Sequence, residues 1–140
     1  MQQKRLLVLA AGILQVPVIK KAKEMGIYVI AADGDPDAVG LKYADKAIVV
    51  NITSEEDVLK VAQEEHIDGV IHPCSEVSMN VMGRLNDKLG LSGITREQAI
   101  RATNKHLMRE AFKKGNAPSP QSFLTENVED AWMHLQNDFS

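Results

Sequence analysis

The sequence predicts an α/β fold in which a parallel sheet is flanked by helices, and three observations predict it. Short apolar runs of strand length recur along the chain, segments with helical apolar spacing separate them, and glycine or proline stands at the ends of those segments. Strands alternating with helices in this way require right-handed crossovers, and such crossovers make neighbouring strands parallel.

Residues 6–10, "LLVLA", form a continuous apolar run, as a parallel strand covered on both faces requires. Val16, Ile19, Ala22 and Lys23 follow at helical spacing. Pro17 is tolerated in the first turn of that helix, where its missing N–H would be unpaired, and Gly26 supplies a left-handed cap. Residues 28–32 read as the second strand, ending in the loop "DGDPDA", and residues 46–50 as the third. The segment "NITSEEDVLKVAQEEHIDG" has a helix start: Thr53 or Ser54 caps it, Glu56 or Asp57 reaches back, and the acidic first turn suits the helix dipole. Its expected buried stripe is Val58, Leu59, Val61 and Ala62. "GVIHP" is a short fourth strand halted by Pro73. The next helix is expected over residues 76–89, with Val77, Val81, Met82 and Leu85 inward and Gly90 ending it.

The texture changes from Leu91. Two short helices are expected, the first opened by a Thr95–Gln98 capping box, the second starting near Asn104 and closed by Gly115, before a rigid corner at Pro118, Ser119 and Pro120. "ENVEDAWMHLQNDFS" reads as one more amphipathic helix, with Val128, Ala131, Trp132 and Leu135 apolar. The strand such a helix would normally connect to does not follow, so a fragment of a longer protein is expected.

The composition narrows the function classes. At 140 residues the chain is about one ordinary domain, 44% hydrophobic and 25% charged. A formal net charge of -3 offers no electrostatic footprint for nucleic acid. The single cysteine, Cys74, cannot form an internal disulfide, and a lone thiol fits a cytoplasmic protein. No apolar run reaches the roughly 18 to 20 residues of a membrane span, and "MQQKRLLVLAAG" passes into strand-like sequence without a signal-peptide cleavage region. The expectation is a soluble, cytoplasmic protein with neither a nucleic acid nor a membrane as partner.

In an open parallel sheet, ligands sit beyond the carboxyl ends of the strands, where successive connections leave in opposite directions. For the usual strand order 3-2-1-4 that point lies between the first and fourth strands. It brings together "AAGILQ" (residues 10–15) and "HPCSE" (residues 72–76), each expected to lead directly into a helix whose N–H groups face an anionic group. Gly12 allows close backbone approach or is simply the turn glycine, and Glu76 could bind an amine or a hydroxyl.

Asp33 ends the second strand about twenty residues beyond Gly12, where a dinucleotide-binding fold keeps its ribose-binding acid. A Rossmann-like dinucleotide-binding or regulatory module is therefore the alternative reading. It lacks the GxGxxG pattern, because Leu14 and Pro17 stand where glycines would be needed. Cys74 beside His72 suggests a nucleophile, against a structural cysteine with no third orienting group. His66, His106 and His134 are scattered without metal-ligand spacing. Arg101, Lys105, Arg109, Lys113 and Lys114 read as a solvated basic face or as a phosphate contact.

The order of these pieces resembles the N-terminal part of an ATP-grasp enzyme. The resemblance spans nearly the whole chain and rests on the strand and glycine turn from "LLVLAAGILQVP" to "DKAIVV", on "DGVIHPCSEVS", and above all on "LGLSGITREQAIRATNKHLMREAFKKGNAPSP". The look is closest to carbamoyl-phosphate synthase large-subunit-like and purine-biosynthetic ligases. What it implies is a Rossmann-like, substrate-binding pre-ATP-grasp domain over residues 1–93, a helical linker over 94–120, and the start of an ATP-grasp module over 121–140. It further implies use of Mg-ATP to convert a small carboxylate into an acyl-phosphate that an amine or other nucleophile attacks. By the same resemblance Lys105 approaches the ATP phosphates, Gly12, Ile13, Leu14, Gln15 and Glu76 face the substrate, and Asn104 stands where an aspartate is more usual. The Mg2+ ligands and catalytic residues are expected beyond Ser140, so that this chain alone is inactive. Exposed Trp132, Met133 and Phe139 suggest pairing with a second subunit, as in a homodimer, or with the ATP module.

Overall fold

A computed structural model describes residues 3–138, which divide into two compact units, the first running to Ile100 and the second starting at Arg101. The first unit holds a four-stranded parallel sheet of order β3-β2-β1-β4, with β1 at Arg5–Leu9, β2 at Tyr28–Asp33, β3 at Lys46–Val49 and β4 at Gly69–Ile71. This is the expected 3-2-1-4 order. Helices α1 (Val16–Glu24), α2 (Glu55–Glu64) and α3 (Met79–Leu89) follow β1, β3 and β4, and α4 (Arg96–Thr103) runs across the boundary between the units.

Alternation along the strands builds two cores. Leu7 and Leu9 point to one face with Ile30, Val58, Val81 and Leu85, so α2 and α3 cover that side. Val8 points to the other with Val29, Ala31, Ile19 and Ala22, which belongs to α1. Each fully buried leucine or isoleucine stabilises the fold by roughly 1.5 to 3 kcal/mol relative to exposure. Because α1 and α3 leave the adjacent strands β1 and β4 toward opposite faces, a crevice opens between the ends of those strands.

Several expected caps are present. Gly26 and Gly90 adopt left-handed φ values of 78° and 65°. Ser54 Oγ accepts from the Asp57 N–H, Thr95 and Gln98 exchange two capping hydrogen bonds, and Asn104 Oδ1 accepts from the Leu107 N–H. Other expectations are corrected. Helix α3 starts at Met79 and not at residue 76, because residues 73–78 are spent on turns that tie Ser78 back to His72. Val77 therefore lies outside the helix and is 60% exposed instead of inward. Val58 and Ala62 are buried, whereas Leu59 and Val61 are only partly so. Helix α5 (Lys105–Lys114) is closed at Gly115 as expected, although Gly115 has φ -85° and the left-handed position falls one residue later, on Asn116 at φ 52°.

The sequence marks the α3–α4 junction with Gly90 and the Thr95–Gln98 capping box, but nothing local marks Gly83 or Asn86 as its contacts. Gly83 lets the chain at Thr95 and Arg96 approach closely: a Cβ there would lie 2.7 Å from the Arg96 Cα. Asn86, buried, donates to the Ile94 carbonyl at 2.9 Å. Above them Glu55 holds Arg84 at 2.5 Å and Arg96 at 3.0 Å, and Arg84 also meets Glu56. In the second unit α5 is followed by α6 (Val128–Asp138), and none of residues 101–137 is buried. Phe123 stacks on His134 with ring centroids 4.1 Å apart.

Two outcomes are expected. Gly83→Ala should lower the unfolding free energy by about 1 to 3 kcal/mol, read as a lower urea midpoint with unchanged slope, since the clashing atoms are backbone. Glu65 sits between Lys46 at 2.5 Å and Arg5 at 2.7 Å, and these cations, Lys46 foremost, hold its carboxyl below the ordinary glutamate range. A depressed folded-state pKa adds stability that is complete above the unfolded value, about 4.3, and is lost as the pH falls through the folded one. Unfolding free energies measured between pH 6 and pH 2 (roughly, spanning that window) should therefore fall less steeply below about pH 4 in Glu65→Gln.

Candidate functional site

The crevice at the ends of β1 and β4 is built from two turns. After β1 the chain passes through Ala10, left-handed at φ 68°, and Ala11, whose N–H donates to Asp33 Oδ2 at 2.7 Å and whose carbonyl accepts from the Gly40 N–H at 2.6 Å. Gly40 must be glycine here, because a Cβ would lie 2.6 Å from that same carbonyl oxygen. Gly12 has an extended backbone (φ -70°, ψ -176°), so its freedom at positive φ is not used. Its small size is, since a Cβ would stand 3.1 Å from Gln15 Oε1. A short 3-10 turn, Ile13–Gln15, then leads into α1. Ile13 and Leu14 are exposed on it, while Gln15 is 5% exposed and donates its amide to the Pro73 carbonyl at 2.6 Å.

The second turn follows β4. His72 is 7% exposed, with Nδ1 2.9 Å from the Leu9 carbonyl and Nε2 3.1 Å from the Ser78 N. A carbonyl can only accept and an N–H can only donate, so the ring is the neutral tautomer with its proton on Nδ1. Cys74 is exposed and left-handed at φ 63°. Because both nitrogens of His72 are engaged with backbone, the ring is not free to serve Cys74 as a base. Glu76 is exposed, and its carbonyl accepts from the Met79 N–H, which places it in the turn ahead of α3 and not at the helix start.

The structure thus places Gly12, Ile13, Leu14 and Gln15 on one turn of the crevice and Glu76 on the other, with Gln15 directed inward. Asp33, the ribose ligand of the alternative reading, has both oxygens on backbone: Oδ2 on Ala11 and Oδ1 on the Asp35 N–H at 2.9 Å. Sequence reasoning missed the roles of Gly40 and Pro73, and neither carries a local signal, because each acts on a residue far away in the chain. Lys105 belongs to the second unit, exposed at the first position of α5 behind the Asn104 cap. In the same unit Arg109 donates to Ser119 Oγ at 3.0 Å, and with Lys113, Gln121 and Ser122 it lines a recess of about 380 Å3. Among the described residues no three His, Cys, Asp or Glu side chains gather to hold a metal ion, and no helix is long and apolar enough to cross a membrane.

No family model matches the chain. Phosphoribosylglycinamide synthetase from Anaerococcus prevotii is 33% identical, with a TM-score of 0.83, over 97% of this chain and 35% of that structure. N5-carboxyaminoimidazole ribonucleotide synthetase from Thermotoga maritima shares the fold at 20% identity and TM-score 0.75, over 95% of this chain and 36% of its own. Among curated relatives, the formate-dependent phosphoribosylglycinamide formyltransferase of Prochlorococcus marinus (strain MIT 9515) is 25% identical over 133 residues, covering 94% of this chain and 34% of the relative. The chain spans about a third of the length of the curated relatives it matches.

Asp33→Ala removes the acceptor that holds the Ala11 N–H. It should lower the unfolding free energy by about 1 to 3 kcal/mol and speed hydrogen exchange at Ala11, with the β3 amides unaffected.

Proposed function

We propose, for a chain that matches the N-terminal, pre-ATP-grasp domain of the ATP-grasp superfamily to which its homologues belong, that it is the substrate-binding part of an ATP-dependent ligase. The observation that supports this most is the 33% identity to a phosphoribosylglycinamide synthetase over 97% of the chain, which takes in both turns of the crevice. The complete enzyme, in a cytoplasmic setting, uses Mg-ATP to phosphorylate a small carboxylate: a carboxylate oxygen attacks the terminal phosphorus and ADP leaves. An amine then attacks the acyl carbon, phosphate departs, and the nitrogen loses a proton.

Two relatives' names support a substrate class: phosphoribosylglycinamide is what the synthetase is named for making and what the formyltransferase is named for formylating. The amine partner is accordingly a phosphoribosyl amine held in the crevice, with Gly12, Ile13, Leu14 and Gln15 shaping one wall and the carboxylate of Glu76 accepting from its amine or hydroxyls. ATP would supply the phosphoryl group and Mg2+ would offset its charge. Lys105 fits a phosphate contact in its chemistry: it is an exposed cation at a helix N-terminus, where the dipole already favours an anion. The Mg2+ ligands are expected elsewhere in the complete protein. No catalytic residue is assigned within this chain, and alone it is expected to be inactive.

A second reading concerns assembly. Trp132 and Met133 are exposed on α6, and their apolar surface suits a homodimer contact or the ATP-binding module; Phe139, part of the same expectation, lies outside the described residues. Sedimentation of the complete protein decides between them, with a concentration-independent monomer removing the homodimer.

Phosphate release by the complete protein should require ATP, a small carboxylate and a phosphoribosyl amine together; release that ignores the amine would remove the ligase reading. In that protein Lys105→Ala should raise the KM for ATP about ten- to a hundredfold, the worth of a charge-assisted phosphate contact. Unchanged ATP kinetics would remove Lys105 from the site.

A further inference from the structure

We propose that Gln15 and His72 are positioning residues that lock the β1–α1 turn to the β4–α3 turn, so that the crevice is formed before any ligand arrives. The lock itself is independent of what binds; the ligand used to test its consequence rests on the phosphoribosyl-amine reading above.

Four observations build it. A buried side-chain amide needs a partner, and the partner of Gln15 is a backbone carbonyl 58 residues away on the opposite turn, at 2.6 Å. His72 makes a second crossing, from the end of β4 to the Leu9 carbonyl at the end of β1, and with its other nitrogen it fixes the Ser78 N–H ahead of α3. Gly12 leaves room for the first crossing, because a Cβ there would stand 3.1 Å from Gln15 Oε1. Finally, each turn contains a non-glycine residue in the left-handed region, Ala10 at φ 68° and Cys74 at φ 63°. Such conformations persist only where their surroundings over-determine them. Ala10 lies between Leu9 and Ala11, both tethered, and Cys74 directly follows the tethered pair His72 and Pro73.

The division of labour within the turns carries the inference beyond ordinary core satisfaction. The side chains that cross between the turns, Gln15 and His72, are buried, while Ile13, Leu14, Cys74 and Glu76 on the same turns are exposed. A ligand in the crevice would meet the exposed group, and the buried group would set their spacing. A crevice already ordered does not charge the ligand for ordering its loops, so the lock should show in affinity as well as in stability.

The test uses the 15N-labelled chain, with Gln15→Met, which keeps length and removes the donor, and His72→Asn, which can still reach the Leu9 carbonyl but gives up the acceptor for Ser78. In the wild type, His72 should show one ring tautomer, with its proton on Nδ1. In Gln15→Met the amides of His72 and of residues 74–78, across the crevice, should shift and exchange faster while those of β3 stay unchanged. Phosphoribosylglycinamide should bind this variant about five- to tenfold more weakly than the wild type, the worth of one neutral hydrogen bond. His72→Asn should disturb the Ser78 amide more than the Gln15 side-chain amide. Unmoved resonances at His72 and residues 74–78 in Gln15→Met, or a His72 proton on Nε2, would overturn the lock. A lowered thermal midpoint with unchanged affinity would reduce both residues to core packing and overturn the positioning role. Failure of the wild type to bind phosphoribosylglycinamide would overturn the substrate reading instead, leaving the lock to be judged on the resonances.

Discussion

The carboxyl end of β1 is held from several directions, and the rest of the structure is arranged around that restraint. The Leu9 carbonyl receives His72, the Ala11 N–H goes to Asp33, and the Ala11 carbonyl receives the Gly40 N–H. Three separate segments therefore converge on two residues, Leu9 and Ala11. The sheet makes this possible: β1 pairs with β2 on one side and β4 on the other, so the ends of all three strands meet where the chain must turn. Burial on both faces fixes the register, since a slip of one residue would exchange Leu7 and Leu9 for Val8 between the two cores.

This arrangement explains how one glycine suffices in a turn that, in a dinucleotide-binding fold, would need three. Gly12 leaves room for the Gln15 carboxamide. Asp33 closes the same turn from the β2 side. The features that made the segment look like a worn cofactor loop are those that hold it shut against the neighbouring strands.

The cap residues of α2, α4 and α5 and the two-sided core were legible because they depend on local periodicity and short-range hydrogen bonds, and the sheet order agreed with the usual one for such a fold. Leu6, Leu7, Val8 and Leu9 can only be a strand covered twice, and Ser54, Thr95 and Asn104 act within three residues of themselves. The site was half legible. Its two turns followed from the switch-point rule, but the direction of Gln15 and the late start of α3 depend on Pro73 and His72, partners that no window on the sequence brings together. Gly83 was illegible for the same reason: its role is to admit the backbone of Arg96. The exposed second unit followed from the amphipathic pattern of α6, whose apolar residues Val128, Trp132 and Leu135 remain uncovered.

The proposed function comes down to one claim, that this domain selects a phosphoribosyl amine for a carboxylate activated by ATP. Calorimetric titration of the chain with phosphoribosylglycinamide, with NADH as the competitor class, tests it most directly. The expected result is saturable binding of phosphoribosylglycinamide at one site, weakened by Glu76→Ala and unaffected by NADH. Saturable binding of NADH that is lost in Asp33→Ala, with no heat from phosphoribosylglycinamide, would contradict it.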